Sequence, residues 1–451
     1  MHRKMILALA PLLALAQSPD RQSAGGGTAA AQRLGLKQAV EIALAPKGNT
    51  RIQLAEELVR QSRARSAQAR AALLPNLDGQ FADQSQTRNL EAFGLQIKLP
   101  PSLGFSIPTF VGPFTTIDAR VSATQTVFDF SSIRRFQASR AGVRAVEADN
   151  SSAQDQVAAQ VATLYMAALA AQAHVEAAQA DFDLSQALAT LALNRKNAGT
   201  GTGIEVTRAQ VQLANERQRL VVARNERRQA QLQLLRAMGV NLGADFELTG
   251  KLEYAPLDAV TAKQAIDKAF AARADLKAQE TREQNARLSY SATKFERLPS
   301  LASFADYGSS GTGFNNAVPT RTYGIALRVP LFDGGRRDAR RSESASQLRQ
   351  ESIRTTDLRN QIELEIRLAL DSLQSSEDQV KVAREGLEQA ELEVAQAQRR
   401  YEAGVASSLE PTDAQTRLAR ARDNQISALL AYNVARINLA QAMGAIRQIV
   451  Q

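Results

Sequence analysis

The chain has 451 residues, only 5% aromatics, no Trp and a formal charge of +9, which leaves room for two to four ordinary domains but little bulk for one large mixed core. It has no cysteine, which excludes disulfides, thiolate metal sites and cysteine nucleophiles. Its two histidines, His2 and His174, are too few for a multi-histidine metal centre.

Arg3 and Lys4 precede an apolar run from Met5 to Leu15 and the A-x-A pattern Ala14-Leu15-Ala16, which predicts a secretory signal over residues 1–16. That run is too short to cross a bilayer as a helix, and no later stretch is apolar for long enough. Residues 17–35 surround Gly25-Gly26-Gly27 and are expected to be a flexible tail. An exported chain without a basic-aromatic cluster is not expected to bind nucleic acid.

Helical spacing begins at Leu36, breaks at Pro46, Gly48 and Asn49, and resumes from Arg51 to Leu74. Leu74-Pro75-Asn76-Leu77 then turns the chain extended, because proline disfavours helix in the residue before it. Ile117, Ala119, Val121, Ala123 and Val127 alternate with Thr116, Asp118, Arg120, Ser122, Thr124 and Thr126, a strand with one apolar and one polar face. Between these strand regions (about 77–128) lies a Pro/Gly-rich connection from Leu99 to Pro113. Phe128-Asp129 follows, the aspartate suited to cap a helix. No proline interrupts the next stretch, which predicts a helix over about 130–197, a tip at Asn197-Ala198-Gly199 and a return helix over about 204–238 ending in Ala237-Met238-Gly239.

Residues 246–261 read as a linker with a short strand, and then the order recurs. Ala265-Ile266 and Ala269-Phe270 answer Ala39-Val40 and Ala43-Leu44; Leu298-Pro299-Ser300-Leu301 answers the first Leu-Pro entry. Strands are expected over about 301–332, ending in Phe332-Asp333, then helices over about 334–402 and 409–443 with a tip at Glu402-Ala403-Gly404 and a close at Ala442-Met443-Gly444. From 199 to 404 and from 239 to 444 the offset is the same, 205 residues. The chain therefore contains two tandem repeats, 36–245 and 262–444, with a tail at 445–451. Leu213, Leu220 and Leu234, then Leu418, Tyr432 and Leu439, recur by sevens with alanines between, which predicts coiled-coil packing of each hairpin.

Strands polar on one face and apolar on the other fit either a soluble sandwich or a membrane barrel. Four strands bury too little to carry helices this long as a sandwich. A closed barrel needs about eight or more, since open edges in lipid are too costly, so the chain must oligomerise. Two, three or four copies satisfy that arithmetic.

The signal, the duplication, the Leu-Pro strand entries, the Phe-Asp exits, the Ala-Gly tips and the Ala-Met-Gly closes together resemble TolC-type outer membrane efflux proteins. The resemblance spans about Leu36 to Gly444. It implies a mainly α protein with a membrane β-barrel part: a homotrimer with a twelve-stranded barrel in the outer membrane and a periplasmic α-helical tunnel. It also implies a passive exit duct for a tripartite efflux pump or a type I secretion system, working with a periplasmic adaptor and an inner-membrane transporter.

Within that resemblance, Glu410 and Asp413, three apart on one helix face, match acids that ring the periplasmic constriction, while Glu205 and Arg208 stand at the equivalent first-repeat positions. The plainer reading is compensation of the helix dipole, which favours acids in any first turn. An Arg208–Asp413 pair across the hairpins would hold the tip shut. The basic residue that family members often carry in the second tip is missing from Val405-Ala406-Ser407-Ser408. Ala198, Gly199, Gly201 and Gly203, with Ala403, Gly404 and Val405, make small-residue tips suited to docking an adaptor hairpin. Arg134 and Arg135, and Arg336 and Arg337, open the long helices against the macrodipole; anionic outer membrane lipid or salt bridges would explain them.

No Gly-rich phosphate loop, HExxH pattern or serine nucleophile elbow is present, and Gly199-Thr200-Gly201-Thr202-Gly203 follows a helix rather than a strand, so neither an enzyme nor a cofactor is expected. Two alternatives were open. A periplasmic adaptor has one hairpin, not two, and a coiled-coil structural envelope protein has no use for amphipathic strands.

Overall fold

The computed structural model of the chain describes residues 32–46, 48–94, 109–257 and 260–450; the signal, most of the Gly-rich tail and the Pro-rich connection from Leu99 to Pro108 lie outside the described residues. A short strand β1 (Gln32–Leu34) leads to helices α1 (Leu36–Leu44) and α2 (Thr50–Ala71), strands β2 (Asn76–Asn89) and β3 (Phe110–Phe128), and the hairpin of α3 (Phe130–Asn197) and α4 (Gly203–Met238). After β4 (Phe246–Leu248) the same order returns as α5 (Ala262–Ala272), α6 (Ala274–Phe295), β5 (Ser300–Gly311), β6 (Val318–Arg328), α7 (Arg336–Glu402) and α8 (Leu409–Ala442), followed by α9 (Ile446–Val450). The duplication read from the tips is thus a duplication of the whole element order. Among the described residues no helix is long and apolar enough to cross a membrane.

α3 has 68 residues and α7 has 67, so each is a rod of about 100 Å at 1.5 Å per residue. Alanine dominates the faces that pack against neighbouring helices, α4, α6 and α8 for α3 and α6 and α8 for α7. Ala158, Ala162 and Ala168 of α3 and Ala440 of α8 are fully buried, and the heptad residues Leu220, Leu234, Leu418, Tyr432 and Leu439 are buried too. Small side chains let the backbones approach, and the larger heptad residues fill the remaining space.

Two terminal expectations are corrected. Gln32–Leu34 is not part of a flexible tail: β1 pairs in parallel with β4, Leu34 is buried, and the Tyr165 hydroxyl donates to its carbonyl at 3.1 Å. Nor is 445–451 simply a tail. Ile446 enters the same core and Arg447 Nε lies 2.7 Å from Asp155. The second Phe-Asp exit differs from the first as well. Asp129 caps α3 by accepting from the Ser131 amide at 2.9 Å. β6, however, ends at Arg328, and Gly334 and Gly335, both left-handed (φ 68° and 85°), intervene before α7. Asp333 reaches past them to accept from the Arg337 amide at 3.2 Å.

The two Ala-Met-Gly closes lie in equivalent joints. Gly239 takes φ +74°, and a Cβ there would sit 2.3 Å from the Gly48 carbonyl oxygen in the α1–α2 turn. Asn49 of that turn donates from Nδ2 to the Ala237 carbonyl at 2.7 Å. Gly444 takes φ +69° against the Arg273 backbone of the α5–α6 turn, and Arg273 Nη1 donates to the Ala442 carbonyl at 3.3 Å. In both repeats a turn side chain satisfies a last-turn carbonyl that the helix leaves unpaired. Arg273 also pairs with Asp275 and Glu365, each at 2.6 Å, which ties the second joint to α7.

The four long strands form one antiparallel sheet in the order β2-β3-β5-β6. Pairs such as Gln80↔Arg120↔Gly308↔Thr320 and Asp78↔Ser122↔Asp306↔Thr322 run straight across it. Between the register shifts at Gln86/Arg88 and Thr126/Phe128, the even-numbered positions therefore share one mainly polar face, with Phe304 as an aromatic exception. Phe81, Val121, Tyr307, Tyr323, Ile325 and Leu327 lie on the other and are all exposed. β2 and β6 are free edges within the chain.

Candidate functional site

Both hairpins end in tips built by backbone geometry. At the first, Gly199 takes φ +75° with open space around it, and the Thr200 and Gly201 amides donate to the Arg195 carbonyl at 2.9 and 3.0 Å. At the second, Gly404 also takes φ +75°, and its amide donates to the Tyr401 carbonyl at 3.0 Å. Ala198, Ala403, Gly404 and Val405 are exposed, as is Gly203, while Gly201 is half-buried against Arg195. The small-residue surface expected at the tips is present.

A residue of the first tip holds the second. Arg195 Nη1 donates to the Tyr401 carbonyl at 2.6 Å, and its guanidinium stacks over the Tyr401 ring 4.6 Å from the centroid. Tyr401 is 1% exposed. A cation at the C-terminal end of α7 also meets the negative pole of that helix. Burial raises the Tyr401 phenol above its ordinary value, and the Glu205 charge adds to this while Arg195 opposes it. Arg195, Glu205 and Tyr401 thus meet where the two hairpins touch. In the repeat register Arg195 stands opposite Arg400, and Tyr401 opposite Lys196. Tyr401 in place of a lysine is the break in the repeat that marks this contact in the sequence.

The expected constriction residues separate into distinct roles. Glu205 accepts from the Thr202 amide at 3.1 Å, one half of a capping box that starts α4. Glu410 binds Arg400 of its own hairpin at 2.8 Å. Asp413 is exposed and close enough to raise the Arg417 pKa as a lesser cause, after that residue's hydrogen bond to Glu393. Arg208 is exposed, and no ion pair joins it to Asp413 among the described residues. Within the chain, Arg195, one turn before the first glycine, makes the contact between the tips.

Further from the tip, α3, α4 and α8 enclose a polar joint. Gln415 of α8 is fully buried and donates to the Asp181 carbonyl at 3.0 Å and to Ser185 Oγ. Arg422 binds the Asp181 carboxylate, His174 Nδ1 lies 3.2 Å from Asp423, and Glu216 is 1% exposed with Gln212 donating to it at 2.7 Å. Burial holds both the Asp181 and Glu216 carboxyls above their ordinary values. Asp423 adds to this, against the pull of Arg422 on the first and Arg219 on the second. Such a carboxyl favours folding most in acid, and the contribution is lost as the pH rises through its raised value. As the pH is lowered from neutral towards the ordinary glutamate value of 4.5, the Tm of Glu216→Gln should therefore gain less, or fall further, than that of the parent. Equal slopes would remove this role from Glu216.

The basic clusters at the sheet–helix boundary find acids that the sequence did not associate with them. Arg135 and Arg340 both bind Glu296 at the end of α6. Arg337 and Arg336 lie 3.4 and 4.0 Å from Asp333, and Arg134 stands 5.8 Å over the Phe295 ring. These contacts explain arginines at the start of helices. Beside them Leu331 and Phe332 are 92% and 89% exposed.

A family model described as outer membrane efflux protein matches residues 42–240 and 265–445. The pyoverdine export outer membrane protein OpmQ of Pseudomonas putida is 26% identical over 420 residues, covering 91% of this chain and 85% of that protein. Among solved structures, the CmeC outer membrane channel of Campylobacter jejuni superposes with a TM-score of 0.77 at 16% identity, covering 91% of this chain and 85% of that one. The open-state MtrE outer membrane channel of Neisseria gonorrhoeae gives 0.75 at 17%, covering 92% and 90%.

Proposed function

Since the chain belongs to the outer membrane efflux protein family, we propose that three copies form a passive exit duct of a tripartite pump or type I secretion system. A twelve-stranded barrel crosses the outer membrane, and the helical hairpins form a periplasmic tunnel that docks an adaptor and, through it, an inner-membrane transporter. The observation that carries this reading is the amphipathic sheet with two free edges. Such edges are untenable in lipid, and closure needs strands from other copies. The helices support it too. Ile204, Val211 and Val222 of α4, and Ile353, Leu364 and Val382 of α7, are exposed apolar residues whose spacing keeps each set on one helix face, suited to a neighbouring copy.

The tips are the periplasmic mouth in this reading. Glu410 and Asp413, with Glu205 and Arg208, face the constriction, and the small residues from Ala198 to Gly203 and from Ala403 to Val405 receive the adaptor. Leu331, Phe332 and the neighbouring arginines Arg134, Arg135, Arg336 and Arg337 mark the level of the inner leaflet, where apolar side chains meet lipid and cations meet head groups. The duct performs no chemistry and needs no cofactor. The OpmQ relatives support export as the task; at their level of identity the cargo does not carry over.

Detergent-extracted protein should migrate as a heat-modifiable trimer, give a trimer mass in native mass spectrometry and conduct in planar bilayers. A folded monomer without conductance would overturn the proposal.

A further inference from the structure

On the polar face of the sheet, near the β5–β6 turn, one cation is clamped between two acids. Arg120 of β3 donates from Nε to Asp118 Oδ1 at 2.6 Å and from Nη2 to Asp118 Oδ2. Its Nη1 stands 3.6 Å from Asp306 Oδ1 on β5. The cross-strand partner of Arg120 is Gly308, where a Cβ would fall 2.5 Å from Arg120 Cβ. The missing side chain clears the guanidinium's way along the sheet towards Asp306. The network is partly open to water, with side-chain exposures of 35% for Arg120, 22% for Asp118 and 20% for Asp306.

Ion pairs this open contribute little to folding. Their effect is instead on the potential of the surface they stand on. The neighbours on that face, Gln80, Ser122, Ser310 and Thr320, are uncharged. Asp78 occupies the same cross-strand row as Asp306. This stretch of the face therefore carries three carboxylates and one guanidinium, and Arg120 is the only cation offsetting them there among the described residues.

We propose that Arg120, held by Asp118 and Asp306, sets the charge selectivity of the barrel lumen: it limits an acidic girdle to a moderate preference for cationic over anionic solutes. The inference rests on the barrel reading above, because only closure of the sheet turns its polar face into a lumen. A ring of fixed charges around a pore selects by sign, and lumen substitutions tune selectivity in barrels of this kind.

Reversal potentials of purified channels under a KCl gradient test it, because substitutions of opposite sign must act in opposite directions. Arg120→Gln should raise the cation-to-anion permeability ratio by about two- to threefold at 0.1 M salt, and by more at 0.01 M where screening is weaker. Asp306→Asn keeps the Arg120–Asp118 pair and should lower the ratio by a similar factor. If either variant fails to assemble, the other still decides. Conducting channels with an unchanged ratio would overturn the role of Arg120 and leave the duct intact. A parent protein that forms no channel would overturn both.

Discussion

Arg195→Ala is expected to raise single-channel conductance in planar bilayers, because it releases the contact that joins the two tips of one chain. The side chain makes a charged hydrogen bond to the Tyr401 carbonyl, a class of contact that contributes about 1.5–3 kcal/mol. Its stacking on the Tyr401 ring adds about 0.5–2 kcal/mol. A net loss of about 2 kcal/mol per chain would move a closed–open equilibrium roughly 30-fold. Arg195→Lys keeps the charge but loses the planar fork, so it should fall between alanine and the parent. Arg208→Ala removes no ion pair within the chain and should change the open probability far less. Conductance of Arg195→Ala at the parent level would remove the latch from Arg195.

The second large effect is on stability. Gly239→Ala is expected to lower it by about 2–5 kcal/mol, combining the left-handed backbone penalty with overpacking. The cause is the approach of the Gly48 carbonyl, 2.3 Å from where the new Cβ would stand. Gly199→Ala shares the left-handed backbone but has open space around it, so only about 1–2 kcal/mol is expected there. Chemical denaturation of the two variants checks the difference. Equal losses would mean that the joint tolerates the clash and that backbone conformation alone matters.

Features with a local cause were legible in the sequence. The tip glycines are demanded by left-handed turns, the Ala-Met-Gly closes by the backbones packed on them, and the strand alternation by a two-sided sheet, so each left its own pattern twice. Features made by residues distant in the chain were not. Arg195 reads as dipole compensation in a last helical turn until Tyr401, 206 positions away, is placed beneath it. Glu296 looks like an ordinary helix-end acid until Arg135 and Arg340 converge on it. The strand Gln32–Leu34 is too short to show alternation and depends on its partner β4. Asp333 follows the same rule as Asp129, but two glycines move the helix start and with it the cap.

The paired joints at Gly239 and Gly444 also set a mechanical scale. Arg273 fixes the second joint to α7 at Glu365, so the segment of α7 from Glu365 to Glu402 is a lever arm of about 55 Å at 1.5 Å per residue. A tilt of about 10° at that fulcrum sweeps the tip through about 10 Å, with no helix melted and no side chain moved far from its neighbours at the joint. The joint is the stiff end of the lever and the tip is the long end, so a small rotation midway along α7 (Arg336–Glu402) becomes a wide excursion at the tip.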